Sequence, residues 1–175
     1  MQRVMILGGP GSGKSTLARR MGVRTGLPVH HMDHIHWLPG WAERPKPEKI
    51  AMAQRIERSP AWIFEGGLSA TYDHRASRAD TLVWLDLPVG LRMWRVTWRL
   101  MRNYGQRRPD MAEGCLETVH RETLPFYVYI WRTRRTHRSR IQRLIDAHPR
   151  LSVHQLTSRG AVARFIAGLG TAPVG

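Results

Sequence analysis

Residues 8–15 read Gly-Gly-Pro-Gly-Ser-Gly-Lys-Ser and satisfy the pattern G-x-x-x-x-G-K-[ST]. The flanks decide what this can fold into. Before it, Arg3 to Leu7 is a short apolar run that reads as a buried strand. After it, Lys14 to Thr25 carries Leu17, Ala18 and Met21 at helical spacing, and Gly26 stops the pattern. A strand, a glycine turn and a helix in that order form an anion-binding loop. Its amides turn inward because glycine permits the backbone to curl, and the helix N-terminus adds a favourable dipole. Gly8, Gly9, Pro10, Gly11, Ser12, Gly13, Lys14, Ser15 and Thr16 are therefore the expected nucleotide-phosphate binders. Lys14 supplies a charge for the outer phosphates and Ser15 a hydroxyl for Mg²⁺.

Further short apolar runs repeat along the chain. Pro28–Met32, Ala61–Glu65, Thr81–Asp86 and Leu151–Leu156 read as strands. Helices are expected from about Pro47 to Arg58, from Val89 to Asn103, in a broken region after the polar loop Tyr104–Gly114 that has Pro125 inside it and runs to about Ala147, and from the cap Ser158 to near Leu169. Strands alternating with helices imply an α/β fold: three layers around a parallel five-stranded sheet, with ligands at the carboxyl ends of the strands. At 175 residues the expectation is one domain over 1–175. On Val89–Asn103, the residues Arg92, Arg95, Arg99 and Arg102 share one face, and Trp94, Trp98 and Met101 share another that reads as the core face.

Charge narrows the partners. Lys+Arg is 28 against 13 Asp+Glu, a net of +15, and only three of the 28 are lysine (Lys14, Lys46, Lys49). Arginine recognises phosphate and carboxylate in a planar, bidentate manner. A small phosphorylated ligand or DNA fits such a chain. No apolar run is long enough for a membrane span, and the run at Met1–Leu7 is short for a signal peptide. The lone Cys115 excludes an internal disulfide and a cysteine-based zinc site, so the cytoplasm is the expected compartment.

The motif set excludes some loop users. The single asparagine, Asn103, is followed by Tyr104, so no guanine-reading Asn-Lys-x-Asp exists, and ATP is the expected nucleotide. Asp86 is followed by Leu87-Pro88 rather than Glu, unlike the large motor ATPases. Size and arginine supply suit a small-molecule kinase.

Gly8 to Thr16 closely resembles the phosphate loop of adenylate kinases. Three further stretches resemble the bacterial family of DNA topology modulation proteins, which are adenylate-kinase-like. They are Leu27–Asp33 with Trp37-x-Pro39-Gly40-Trp41, Arg78-Ala79-Asp80 through Leu85–Pro88, and Arg108–Cys115. The resemblance implies a P-loop kinase-like fold with a short acceptor-binding insertion at about 33–60 and a short lid at about 103–114. It names no substrate, although the family name implies an effect on DNA.

By the same resemblance, Asp33 helps bind Mg²⁺ or accepts the acceptor hydroxyl's proton; read from the residues alone, it is equally a turn or cap. Glu65 is expected at Mg²⁺, through water, where adenylate kinases carry Asp. Trp37 and Trp41 either stack on a planar acceptor or pack the insertion. Arg75 and Arg78 either contact an anionic group of the acceptor or are solvated. His30, His31, His34 and His36 invite a metal reading that no cysteine supports, and otherwise line the acceptor pocket. In the lid, Arg108, then Arg102, then Arg99 are expected to neutralise the transferred phosphoryl group on closure. The arginines at 132, 134, 135, 138, 140 and 143 surround a helix. They form either a solvated face or a DNA surface, and the latter gives the alternative function: a nucleotide-regulated DNA-binding protein with little phosphotransfer.

Overall fold

The computed structural model describes residues 1–106, 111, 113–116, 118–119 and 123–170. Arg108, the first lid candidate, lies outside the described residues.

Five strands form one parallel sheet: β1 (Arg3–Gly8), β2 (Val29–His31), β5 (Trp62–Glu65), β6 (Thr81–Leu85) and β7 (Ser152–Leu156). Their order is β2-β5-β1-β6-β7. β1 lies at the centre because Val4 to Leu7 are apolar and fully buried. Alternate residues leave on opposite faces. Met5 and Leu7 join Trp62, Phe64, Leu82 and Trp84 in one core. Val4 and Ile6 join Ile63, Val83 and Leu85 in the other.

Helices cover both faces, which makes the three-layer α/β arrangement. The first core is closed by α2 (Met32–His36), α3 (Lys46–Glu57), α4 (Tyr72–Arg78) and α7 (Arg134–Ala147), through Ile35, Ala53, Ala76, Ile141 and Leu144. The second is closed by α1 (Lys14–Thr25) and α8 (Arg159–Ala167), through Leu17, Ala18, Met21 and Ile166. Ser158 caps α8, accepting from the Ala161 amide at 3.1 Å. The Asp80 carboxylate accepts from the amides of Gln2 and Arg3 at 2.7 and 2.8 Å, which fixes the entry of β1 beside β6.

The region after β2 is more ordered than its proline and glycine content suggests. His31 passes directly into α2, and Trp37–Leu38 (β3) pairs antiparallel with Ala42–Glu43 (β4) across a turn. Gly40 (φ 73°) and Trp41 (φ 64°) both take left-handed backbone there. The short helix α4 carries no separate sequence signal.

The helix α5 (Val89–Arg102) corrects the expected orientation. Trp94, Trp98 and Met101 face outward with 57, 51 and 57% exposure, and the two indoles stack on one another. Arg92 and Val96 are the buried residues of this helix. Arg92 and Arg95 turn in on the side that borders the glycine loop, where the Ser12 carbonyl accepts from Arg95. α6 (Thr123–Arg132) follows, with Pro125 in its first turn, where a missing amide hydrogen costs nothing.

No described helix is long and apolar enough to cross a membrane.

Exposed tryptophans contribute little to folding. Changing Trp94 and Trp98 to Ser is expected to alter unfolding free energy by less than about 1 kcal/mol. Trp62→Ala, at a fully buried site, is expected to cost ~3–5 kcal/mol. Urea denaturation separates the two outcomes, and a large loss in the Trp94/Trp98 variant would place that face in the core after all.

Candidate functional site

The site begins where β1 ends. Gly8 to Gly13 turn between β1 and α1, with the Ser12 amide donating to the Gly9 carbonyl at 3.2 Å and Lys14 Nζ to the same oxygen at 3.3 Å. Gly11 (φ 74°) is required by close approach, since a Cβ there would stand 2.3 Å from the Arg92 carbonyl oxygen, and the Arg92 guanidinium packs against Gly9. α5 holds the loop from outside through Arg95, whose Nη1 donates to the Ser12 carbonyl at 3.0 Å, while Arg92 Nε donates to the Leu87 carbonyl just before the helix at 3.2 Å.

The cradle fits a phosphate chain. Gly13 begins α1 with no side-chain cap, and the first turn carries no acid, so the leading amides have no local anion. The Ser12 hydroxyl is buried without a partner. Burial pushes the Lys14 ammonium below its ordinary pKa, while the nearby carboxylates of Glu65 and Asp33 oppose that shift.

Glu65 ends β5 beside Gly8's strand and is buried. His31, at the end of the adjacent β2, donates from Nδ1 to Glu65 Oε1 at 2.7 Å, which fixes the carboxylate's orientation. Gly66 follows with φ 109°, packed so tightly on Met32 that a Cβ would stand 2.5 Å from the Met32 Cβ. That contact brings α2, and with it Asp33, alongside Glu65.

A cleft of about 1490 Å³ opens above these residues. It exceeds the roughly 300–1,000 Å³ of a single small-ligand pocket. The loop residues Gly8, Pro10 to Thr16, with Asp33, Glu65 and Arg99, line it, as do Trp37 and Trp41. The two indoles meet edge to face at 5.4 Å, and Trp41 Nε1 donates to the Leu116 carbonyl at 3.1 Å. The expected loop, acid and aromatic positions are thus gathered at one mouth.

Three expected positions lie elsewhere. The Arg75 guanidinium is fully buried beneath the cleft and turned away from it. Nε donates to Glu57 Oε1 at 3.2 Å, Nη1 to the Gly66 carbonyl at 3.0 Å and Nη2 to Thr71 Oγ1 at 2.9 Å, while its plane covers Phe64 at 3.9 Å. It is a structural cation in this geometry, not an acceptor ligand. Arg78 donates to the Glu57 carbonyl at 3.2 Å and does not line the cleft. Arg102, at the end of α5, is exposed and also off the lining.

Asp86 accepts from Gln155 Nε2 at 2.8 Å and pairs with Arg138 at 3.2 Å. Among the described residues no cluster of His, Cys, Asp or Glu can hold a metal by itself, so the four histidines do not form such a site.

Two site residues lacked a direct signal in sequence. Arg95 reaches the loop carbonyl only because α5 turns its arginine face inward. His137, on α7, lines the cleft near Lys14. Its signal is the spacing 137, 141, 144, which puts it on the same helix stripe as the core residues Ile141 and Leu144.

No protein-family model matches the chain. The uncharacterized protein YqaC of Bacillus subtilis (strain 168) is 29% identical over 108 residues, which cover 59% of this chain, and the chain spans about 60% of the length of that relative. Among solved structures, shikimate kinase from Bacteroides thetaiotaomicron superposes with a TM-score of 0.57 at 16% identity, covering 95% of this chain and 94% of that one. Shikimate kinase from Acinetobacter baumannii, in complex with shikimate, gives 0.55 at 16% identity over 95% and 90%. A sugar kinase from Janibacter sp. HTCC2649 gives 0.51 at 16% over 99% and 96%. The chain therefore has the P-loop kinase-like fold.

His137 yields a prediction in acid. Burial, then the charges of Lys14, Arg92 and Arg140, push its pKa down to about 4. The unfolded chain takes up that proton at about 6.5. The folded chain resists it, so this group's contribution is full above pH 6.5 and is lost as pH falls towards 4. His137→Gln is expected to remove ~1–3 kcal/mol of the stability loss between pH 7 and pH 4.5, read by urea unfolding at each pH. An unchanged pH slope would show that His137 titrates normally.

Proposed function

We propose that this chain is a small-molecule kinase that transfers a phosphoryl group from Mg·ATP to a hydroxyl acceptor. The observation that carries it is the convergence of Lys14, Glu65 and Asp33 at the mouth of one cleft, with the glycine loop on one side and Trp37 and Trp41 on the other. The similarity of fold to shikimate and sugar kinases supports the same reading.

The roles follow from position. The loop amides and Lys14 bind the phosphates, with Ser12 Oγ as an added donor. Ser15 and Glu65 are the residues that would hold Mg²⁺, whose charge would offset that of the phosphate oxygens. His31 keeps Glu65 aimed into the cleft. The acceptor hydroxyl oxygen forms the new bond to the γ-phosphorus as the bond to the leaving diphosphate oxygen breaks. The hydroxyl proton goes to the Asp33 carboxylate. Arg99, on the cleft wall, stabilises the charge on the transferred oxygens, and the lid segment 103–114 with Arg108 and Arg102 adds cations and excludes water on closure. Residues 33–60 serve as the acceptor-binding insertion.

A second reading rests on α7, where Arg135, Arg138, Arg140 and Arg143 are all exposed. That surface suits a nucleotide-regulated DNA binder of the topology-modulation kind. It predicts DNA affinity that changes with ATP, beyond the salt-sensitive attachment any chain of this charge shows.

The deciding measurement is ADP release from Mg·ATP against nucleosides, nucleoside monophosphates, sugars, hydroxy acids and duplex DNA. A stimulating acceptor is expected to raise turnover many-fold, and Lys14→Ala to lower the stimulated rate on the order of 100-fold or more. Full phosphotransfer in Lys14→Ala would sink the mechanism. Stimulation by duplex DNA alone, with ATP-dependent DNA affinity, would favour the second reading.

A further inference from the structure

Glu65, Gly66 and Gly67 end β5, open the turn after it and line the cleft. His31 holds the Glu65 carboxylate from one side. The backbone of the turn is held separately, by a buried network of which neither Arg75 nor Glu57 lines the cleft.

The Arg75 guanidinium is the centre of that network. It donates to Glu57 Oε1 of α3 at 3.2 Å, to the Gly66 carbonyl at 3.0 Å and to Thr71 Oγ1 at 2.9 Å. Its flat face lies on the Phe64 ring, one residue before Glu65. The other carboxylate oxygen of Glu57, Oε2, accepts from His74 Nδ1, so both oxygens of this buried group are engaged. Thr71 in turn donates to the Leu68 carbonyl at 2.9 Å, which ties the far end of the turn to the same guanidinium. The Gly66 amide donates to the Ile6 carbonyl of β1 at 3.2 Å. Both polar groups of Gly66 are therefore fixed, one by the central strand and one by Arg75.

Packing alone does not call for charge at this depth. A buried ion pair is costly to desolvate, and apolar residues of similar volume commonly give equal or greater stability. Apolar side chains cannot supply a directed hydrogen bond to the Gly66 carbonyl. That bond matters at a glycine, whose backbone is otherwise the freest to rotate. Lysine could not replace the arginine either. Its ammonium lacks the planar fork that meets Glu57, Gly66 and Thr71 together, and the flat face that covers Phe64.

We propose that Arg75, balanced by Glu57, is a positioning residue for the candidate site: it fixes the turn at Gly66 and Gly67 so that Glu65 is presented to the cleft, and it touches no ligand itself. This rests on the phosphotransferase reading, in which Glu65 has a part in the reaction. The short helix α4 thereby gains a function, since it carries the guanidinium to the back of the turn.

The test uses the full chain and a double variant, Glu57→Leu with Arg75→Met. It removes both charges together, so no unpaired ion is left in the core, and it deletes the bond to Gly66. Urea unfolding is expected to stay cooperative, with a midpoint near that of the unaltered chain. Hydrogen–deuterium exchange of the amides of residues 66–68 is expected to speed up about tenfold or more, with exchange in β1 unchanged. With an acceptor that stimulates turnover, kcat is expected to fall about tenfold or more while the KM for ATP stays within about twofold. Arg75→Lys is the second variant and carries the test where the double variant does not fold. It keeps a charge beside Glu57 and is expected to show the same split between kcat and KM, with the exchange protection still lost.

Unaltered exchange and unaltered kcat in a folded variant would overturn the proposal and leave the kinase reading standing. Lower stability with kcat per folded molecule unchanged would assign the pair to folding alone, which also overturns it. If no acceptor accelerates turnover in the unaltered chain, the kinase reading fails. The exchange measurement then still decides the brace: faster exchange at 66–68 in the variant supports it, and equal exchange removes it.

Discussion

The passage from β1 into α1 sets the terms for everything around it. Six residues must reverse the chain and leave their amides pointing at one place, and helix α5 presses on them from outside. Arg92 comes so near Gly11 that a methyl group there would meet its backbone carbonyl, its guanidinium lies against Gly9, and Arg95 ties the Ser12 carbonyl. The glycines answer this pressure as well as the need for left-handed backbone at Gly11 and Gly13. Because α5 must bring cations to the loop, its arginine face is the inward one. Its tryptophans are consequently left outside.

The same economy of charge shapes the other wall. Glu57 and Arg75 are both fully buried, and their pairing joins α3 to α4 while Arg75 also holds the Gly66 carbonyl. An isolated charge at that depth is costly, so each is tolerated only with its partner and further hydrogen bonds in place. The consequence reaches the cleft. The cation that braces the turn after Glu65 is not available to a ligand.

The sheet order supplies the position. β1 lies between β5 and β6, α1 departs towards β2, and the chain later crosses to β6 on the other side. Ligands of open parallel sheets lie where such connections diverge, at the carboxyl ends of the strands. Gly8, Glu65 and the turn after β2 all reach that edge, which is why residues separated by up to 57 positions in sequence, from Gly8 to Glu65, share one mouth.

How much of this was legible from the residues depends on the range of the forces involved. The phosphate loop, the five strands and the α/β class follow from the order of residues, because a glycine turn between an apolar run and a helical pattern has few alternatives, and runs of Val, Ile, Leu, Trp and Phe bury themselves as strands. Asp33 and Glu65 became candidates through a family resemblance, and Trp37 and Trp41 through their place in the short insertion; all four line the cleft. Helical periodicity, by contrast, defines two faces and does not say which points inward. On α5 the neighbouring carbonyls chose the arginine face and reversed the hydrophobic expectation. Arg75 was expected either at an anionic group of the acceptor or in solvent, and only its encounter with Glu57, eighteen residues earlier, buried it. His137 acquired its cationic surroundings from α1 and α5, which are remote in sequence. The sequence by itself determined the elements and the phosphate cradle, since local backbone preference and apolar patterning act over a few residues. The tertiary structure alone decided which cations face the ligand and which are locked inside, because that choice is made by partners brought together only when the sheet closes.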